Sequence, residues 1–194
     1  MTGSAIRHSI AGLVVTIALI GMAITVYQPH RVRADEPKGA VLLTVAGDVS
    51  KPNRGPFDPE TDKFFGHNDL DFKAATGFDL ETLARLDPVR ITADFPKDGP
   101  VHTFEGPSLA AVLEAAGAKG EIARLVALDG YAIEVPVKDL LRKGAVLAMK
   151  RDGQPLGIGD FGPLQLVFPR ADREDLAEMN DDNWIWSVFL IDVK

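Results

Sequence analysis

A chain of 194 residues, 46% hydrophobic and 25% charged, holds one domain with a core of its own. Its formal net charge of −7 excludes the basic surface on which nucleic-acid binders rely. The absence of cysteine excludes disulfides, thiolate metal sites and cysteine nucleophiles.

In chain order, the first feature is an apolar and small-residue run over 10–26, flanked by Arg7 and His8 before it and by His30, Arg31 and Arg33 after it. Seventeen residues of helix would span ~26 Å, near the ~30 Å of a bilayer's hydrocarbon layer. Residues 1–34 are therefore expected to be a signal peptide or an N-terminal membrane anchor. Val32-Arg33-Ala34 offers a small-residue cleavage pattern, whereas the length of the run favours retention. Both alternatives place the domain over 35–194 outside the cytoplasm, in the periplasm. That domain keeps 18 of the 21 basic and all 28 acidic side chains, a formal charge of −10, so it should repel nucleic acid and anionic lipid.

Residues 40–45 read as a first strand ended by Gly47, followed by a loop rich in proline and glycine. Residues 64–68 are compatible with loop or strand. Asp79 is a suitable N-cap for a helix over 80–86, which Asp87-Pro88 stops. Strands are expected over 89–92 and 103–105. Ser108 caps a helix whose Leu109, Val112, Leu113 and Ala116 share one face, and Gly117 stands where a C-terminal glycine belongs. Next come an apolar strand over 122–128, the Asp129-Gly130-Tyr131 turn, an alternating strand over 132–135 and a helix opened by Pro136 and stopped by Gly144. A strand over 145–149, an Asp152-Gly153 hairpin, a strand over 164–168 and a closing strand over 184–193 complete a mixed α/β reading with three short helices. Phosphate loops of Walker or dinucleotide type are missing.

Asp129-Gly130-Tyr131, the Pro136-led helix, the strand after it, Asp152-Gly153-Gln154-Pro155-Leu156 and Gly162-Pro163-Leu164 occur in an order that resembles the oxidoreductase molybdopterin-binding domain, the sulfite oxidase fold. The resemblance runs loosely from Val41 to Val193. It implies a cavity for molybdopterin. It also implies, in redox-active members, one cysteine thiolate on molybdenum in the segment that is here 89–96. Ala93 stands at about that position, so no normal molybdenum centre is expected, and molybdopterin itself follows from the resemblance alone. Arg7 is single where a twin-arginine signal, the route for proteins exported with this cofactor, has two.

The same resemblance places His67 and Asn68 near the cofactor, and Asp129 and Tyr131 at a strand end facing the pterin cavity. Each has an ordinary reading as well: an exposed loop histidine, and an Asp-Gly turn with a packed tyrosine. Arg170 can receive an anionic group by a forked hydrogen bond, or pair with Asp172 or Glu174. Trp184 and Trp186 alternate with Ile185, so both indoles should point to one face, where one could wall a pocket. Active relatives have a lysine before such a tryptophan; here it is Asn183. His102 reads as surface. The six carboxylates Asp172, Glu174, Asp175, Glu178, Asp181 and Asp182 lack calcium-loop spacing and read as a solvated loop. No catalytic or metal-ligating residue is named. The expected function is an exported molybdopterin-oxidoreductase-like domain that binds a small ligand, or an extracytoplasmic or membrane protein. The alternatives are a thiolate-free molybdopterin oxidoreductase and a ligand-free interaction module.

Overall fold

The computed structural model describes residues 35–194, and the expected signal or anchor segment over 1–34 lies outside them. Among the described residues no helix is long and apolar enough to cross a membrane.

Strand β1 (Leu43–Gly47) pairs in parallel with β11 (Val188–Val193) and antiparallel with β2 (Ala75–Phe78). β5 (Ile122–Ala127) lies on the far side of β11, and β6 (Ala132–Pro136) closes a five-stranded sheet of order β2-β1-β11-β5-β6. Strand alternation sends Leu43, Val45, Leu125 and Ile191 into the main core and Ala46, Val126 and Leu190 into a smaller one on the other face. The loop after β1 covers that second face. It contains α1 (Lys63–His67) and the rings of Phe57, Phe65 and Phe72, with Phe65 edge-on to Phe72 at 5.3 Å.

The main core is closed on its other side by β3 (Pro88–Ala93), β4 (His102–Pro107), β8 (Lys150–Arg151) and β9 (Gln154–Pro155), which form one antiparallel sheet. Asp152 and Gly153, at φ 50° and 77°, make the expected hairpin turn of the two-residue kind with both φ positive. β7 (Val146–Ala148) and β10 (Gln165–Val167) form a separate pair. Helix α3 (Leu109–Ala116) starts on Ser108, whose Oγ accepts the Ala111 N–H at 3.1 Å, and ends on Gly117 at φ 65°. Helix α4 (Val137–Arg142) follows Pro136 and stops before Gly144 at φ 71°.

Helix α2 (Leu80–Ala84) is capped by Asp79 with more than local effect. One carboxylate oxygen accepts the Thr82 N–H and hydroxyl at 2.8 and 2.7 Å, and the other accepts the Lys38 and Gly39 N–H groups, both at 2.8 Å. The Thr82 backbone hydrogen bond, aided by Gly39, holds the Asp79 carboxyl well below the usual carboxylate range despite burial. Asp79→Ala is expected to cost about 2 kcal/mol near neutral pH, the upper end for a cap, because four donors lose their acceptor. The folded pKa is depressed, so this stabilisation is present above the unfolded value and lost as pH falls through the folded one. Urea unfolding of both proteins at pH 7 and pH 3 should show the difference shrinking in acid; an unchanged difference would contradict the assignment.

The sequence expectation fails at three places. Residues 64–67 fall in helix α1, with Asn68 at its C-cap, rather than in a loop or strand, making four α-helices among the described residues. β2 was not anticipated, because Ala75-Thr-Gly-Phe78 has no apolar alternation. The closing strand begins at Val188, not at residue 184, because Ser187 takes φ 54° and breaks the extended run.

Candidate functional site

At the end of β5, the Asp129 carboxylate accepts the Tyr131 N–H at 3.0 Å, and the Gly130 N–H reaches the Ala127 carbonyl at 3.0 Å. Gly130, at φ 86°, lets the chain reverse in so few residues. The turn leaves Asp129 exposed and Tyr131 55% exposed. Opposite it runs the segment before β11, tied down by Leu128 N–H to Ser187 O (3.0 Å), Ser187 N–H to Phe161 O (2.9 Å) and Ser187 Oγ to Gly162 O (2.7 Å). Between the two segments lies a cleft of about 230 Å³ lined by Ala127, Asp129, Tyr131, Ile185 and Trp186.

The expectation that both indoles share a face is corrected here. Residues 184–187 lie outside a regular strand, and Trp184 and Ile185 are buried side by side, whereas Trp186 turns outward, 43% exposed and edge-on to Phe161 at 6.3 Å. Trp186 therefore belongs to the cleft, and Trp184 does not. Of the loop candidates, Asn68 approaches the Asp129-Gly130 turn: its Oδ1 would lie 3.7 Å from a Cβ placed on Gly130, while its Nδ2 donates to the Phe64 carbonyl at 2.8 Å. His67 is exposed at the end of α1. A second cleft of about 270 Å³ beyond Leu128 is lined mainly by apolar side chains such as Val41, Phe64 and Ile158. Its one cation among the described residues, Arg54, is bound to Asp62 and to the Thr44 hydroxyl.

Arg170 is buried, and its partners are not Asp172 or Glu174. Its Nε donates to Asp94 Oδ1 (2.6 Å) and its two terminal nitrogens to Asp94 O (2.6 Å), Met179 O (2.7 Å) and Asp181 Oδ1 (2.7 Å). The guanidinium also lies 4.5 Å over the Trp184 ring. Burial opposes ionisation of Asp94, but the hydrogen bonds from Arg170 and from the Asp98 N–H outweigh it and lower its pKa. Asp172 instead accepts the Thr92 N–H at 2.6 Å, so the acidic segment is partly structural. Among the described residues no group of three or more metal-ligating side chains comes together. His102, expected at the surface, is partly buried with Nδ1 2.7 Å from Asp152.

Ala93, at the end of β3, is fully buried within the core cluster. Directly after it, Phe95 stacks on Trp184 (centroids 5.3 Å, planes 8° apart) and meets Phe161 edge-on at 5.7 Å. Position 93 thus presents a methyl group to packed side chains, with Phe95, Trp184 and the Arg170 ion pairs beside it. These residues do not fit a thiolate-held molybdenum ion. The cleft at Asp129 fits a pterin phosphate no better, because among the described residues its only charged lining side chain is a carboxylate. Phe95, Phe161 and Asp94 are the participants that sequence reasoning missed. Nothing local marks Asp94 as the partner of an arginine 76 positions away.

Residues 99–171 match the family model described as "Oxidoreductase molybdopterin binding domain". Among solved structures, the sulfane dehydrogenase SoxCD from Paracoccus pantotrophus is similar in fold, with a TM-score of 0.54 and 17% sequence identity. The alignment covers 78% of this chain and 37% of that one, so the chain spans little more than a third of that chain's length. No curated protein matches the sequence.

Proposed function

From the premise that the chain carries a molybdopterin-binding domain of the sulfite oxidase type, we propose that this copy works without a normal molybdenum centre, as an extracytoplasmic binding domain for a small ligand or a partner protein. The observation that carries this reading is the packing around Ala93. In a chain without cysteine, the place expected for the metal's protein ligand is a buried methyl group, and aromatic rings and a double ion pair stand beside it. A soft metal centre without its thiolate loses its only protein bond. The apolar segment over 10–26 with basic flanks supports export. The turn at Asp129 and the outward Trp186 leave an open cleft where the resemblance expects the cofactor cavity.

The test is elemental analysis and pterin fluorescence on the full chain, isolated from a host that makes the cofactor. The expected result is neither molybdenum nor pterin above background, for the wild type and for Ala93→Cys alike, since a thiol at 93 would be buried in the core. Near-stoichiometric molybdenum and pterin in the wild type would overturn the reading. Fractionation of cells should place the chain outside the cytoplasm; a cytoplasmic pool alone would remove that part.

A further inference from the structure

We propose that the cleft between the Asp129-Gly130-Tyr131 turn and Trp186 binds a small organic cation bearing an alkylated ammonium group. The inference rests on the reading of the domain as a binding module and names the chemistry of its ligand. Two large aromatic side chains, Tyr131 and Trp186, are 55% and 43% exposed on the walls of one cleft, and Phe161 supports the indole edge-on. Aromatic faces carry negative quadrupole charge and attract a cation, most strongly the face of an indole. Among the described residues, the single charged residue of the lining is Asp129. One of its oxygens accepts the Tyr131 N–H, and among the described residues it makes no ion pair, so its charge is free for a ligand.

The rest of the lining decides between kinds of cation. Ala127 and Ile185 are buried and apolar, and among the described lining residues Asp129 supplies the one carboxylate. A bare ammonium or metal ion would lose strongly held water and find one carboxylate in return. An alkylated ammonium spreads its charge over methyl groups that apolar walls and rings can contact, and so gives up less hydration. A volume of about 230 Å³ admits such a head group. The acidic field of the domain, −10 over residues 35–194, further favours a positive ligand and disfavours the anionic one of the fold family.

The experiment is calorimetric titration of the full-length chain with choline and with its uncharged carbon isostere, 3,3-dimethyl-1-butanol. Thermal melts serve as a folding control for every variant. The expected result is saturable binding of choline at one site. The isostere, Asp129→Asn and Trp186→Leu should each be weaker by about tenfold. Equal binding of choline and the isostere, or unchanged affinity in Asp129→Asn, would overturn the assignment to a cation. So would the absence of saturable choline binding by protein that melts cooperatively. Molybdenum and pterin measured on the same samples separate the two levels of the argument. A cofactor-free protein that ignores choline removes only the cation. A cofactor-loaded protein removes the binding-module reading and this inference with it.

Discussion

Replacing Arg170 with methionine is expected to destabilise the domain by about 3 kcal/mol, the low end of what breaking a buried ion pair costs. The guanidinium side chain is 2% exposed, and removing it leaves two carboxylates and two carbonyl oxygens without their donor. Asp94 and Asp181 are 21% and 30% exposed at the side chain, so water can reach them in part, which keeps the loss from the top of the range. The substitution also unties two segments at once: the one after β3, which carries Phe95, and the one before Trp184. The pH dependence follows from Asp94, whose pKa is lowered in the folded state. A depressed carboxyl contributes stability above its unfolded pKa of about 3.9, and that contribution fades as pH falls through the folded value. Arg170→Met should therefore lose part of the wild-type decline in stability in acid. Urea unfolding from pH 7 to pH 2 measures both effects; a loss below about 1 kcal/mol at pH 7 would mean that the arginine is not buried in this pairing.

Gly106→Ala is expected to be comparably damaging for a different reason. A Cβ at 106 would stand 2.0 Å from the Leu147 carbonyl oxygen and 3.0 Å from Ala148 Cα, so it meets backbone that cannot rotate away. β4 and β7 approach each other here, and Met149 N–H donates to Glu105 O at 2.8 Å beside the contact. A methyl group would part the two strands or strip that hydrogen bond, costing about 2–3 kcal/mol as overpacking does. Gly55→Ala is the control, since nothing lies within 4 Å of its added Cβ and its φ is not in the left-handed region. Thermal melts of the two variants should differ by about 4–12 °C, given about 2–4 °C per kcal/mol in a domain of this size. Coincident melts would refute the close approach.

Arg170 and Trp184 sit in the packed region beside Ala93, whereas Asp129, Tyr131 and Trp186 form an open one. Damage to the first should lower stability, and changes in the second should alter binding while the fold persists. Seven residues singled out from the sequence are thus divided by the fold into an internal strut, an open cleft and a neighbouring loop. Asn68 reaches the cleft's turn from that loop, and His67 beside it faces solvent.

What the sequence determined by itself is local. The Asp79 and Ser108 caps, the stops at Gly117 and Gly144 and the Asp152-Gly153 hairpin are settled within three or four residues, where side chain and backbone of one segment decide the geometry. The ordered set of such signals over 122–170 was enough to point to the fold, and the missing cysteine was legible at once. Tertiary structure decided the rest. The parallel pairing of Thr44 with Leu190 joins the two ends of the described chain. The choice of Asp94 over Asp172 as the partner of Arg170 depends on which segment the packed core carries past the guanidinium. The burial of Trp184 and the exposure of Trp186 belong to a segment that a distant loop holds in place, through Phe161 and Gly162 on Ser187. No periodicity in the sequence encodes these contacts, because each is chosen among competing partners only when the core closes.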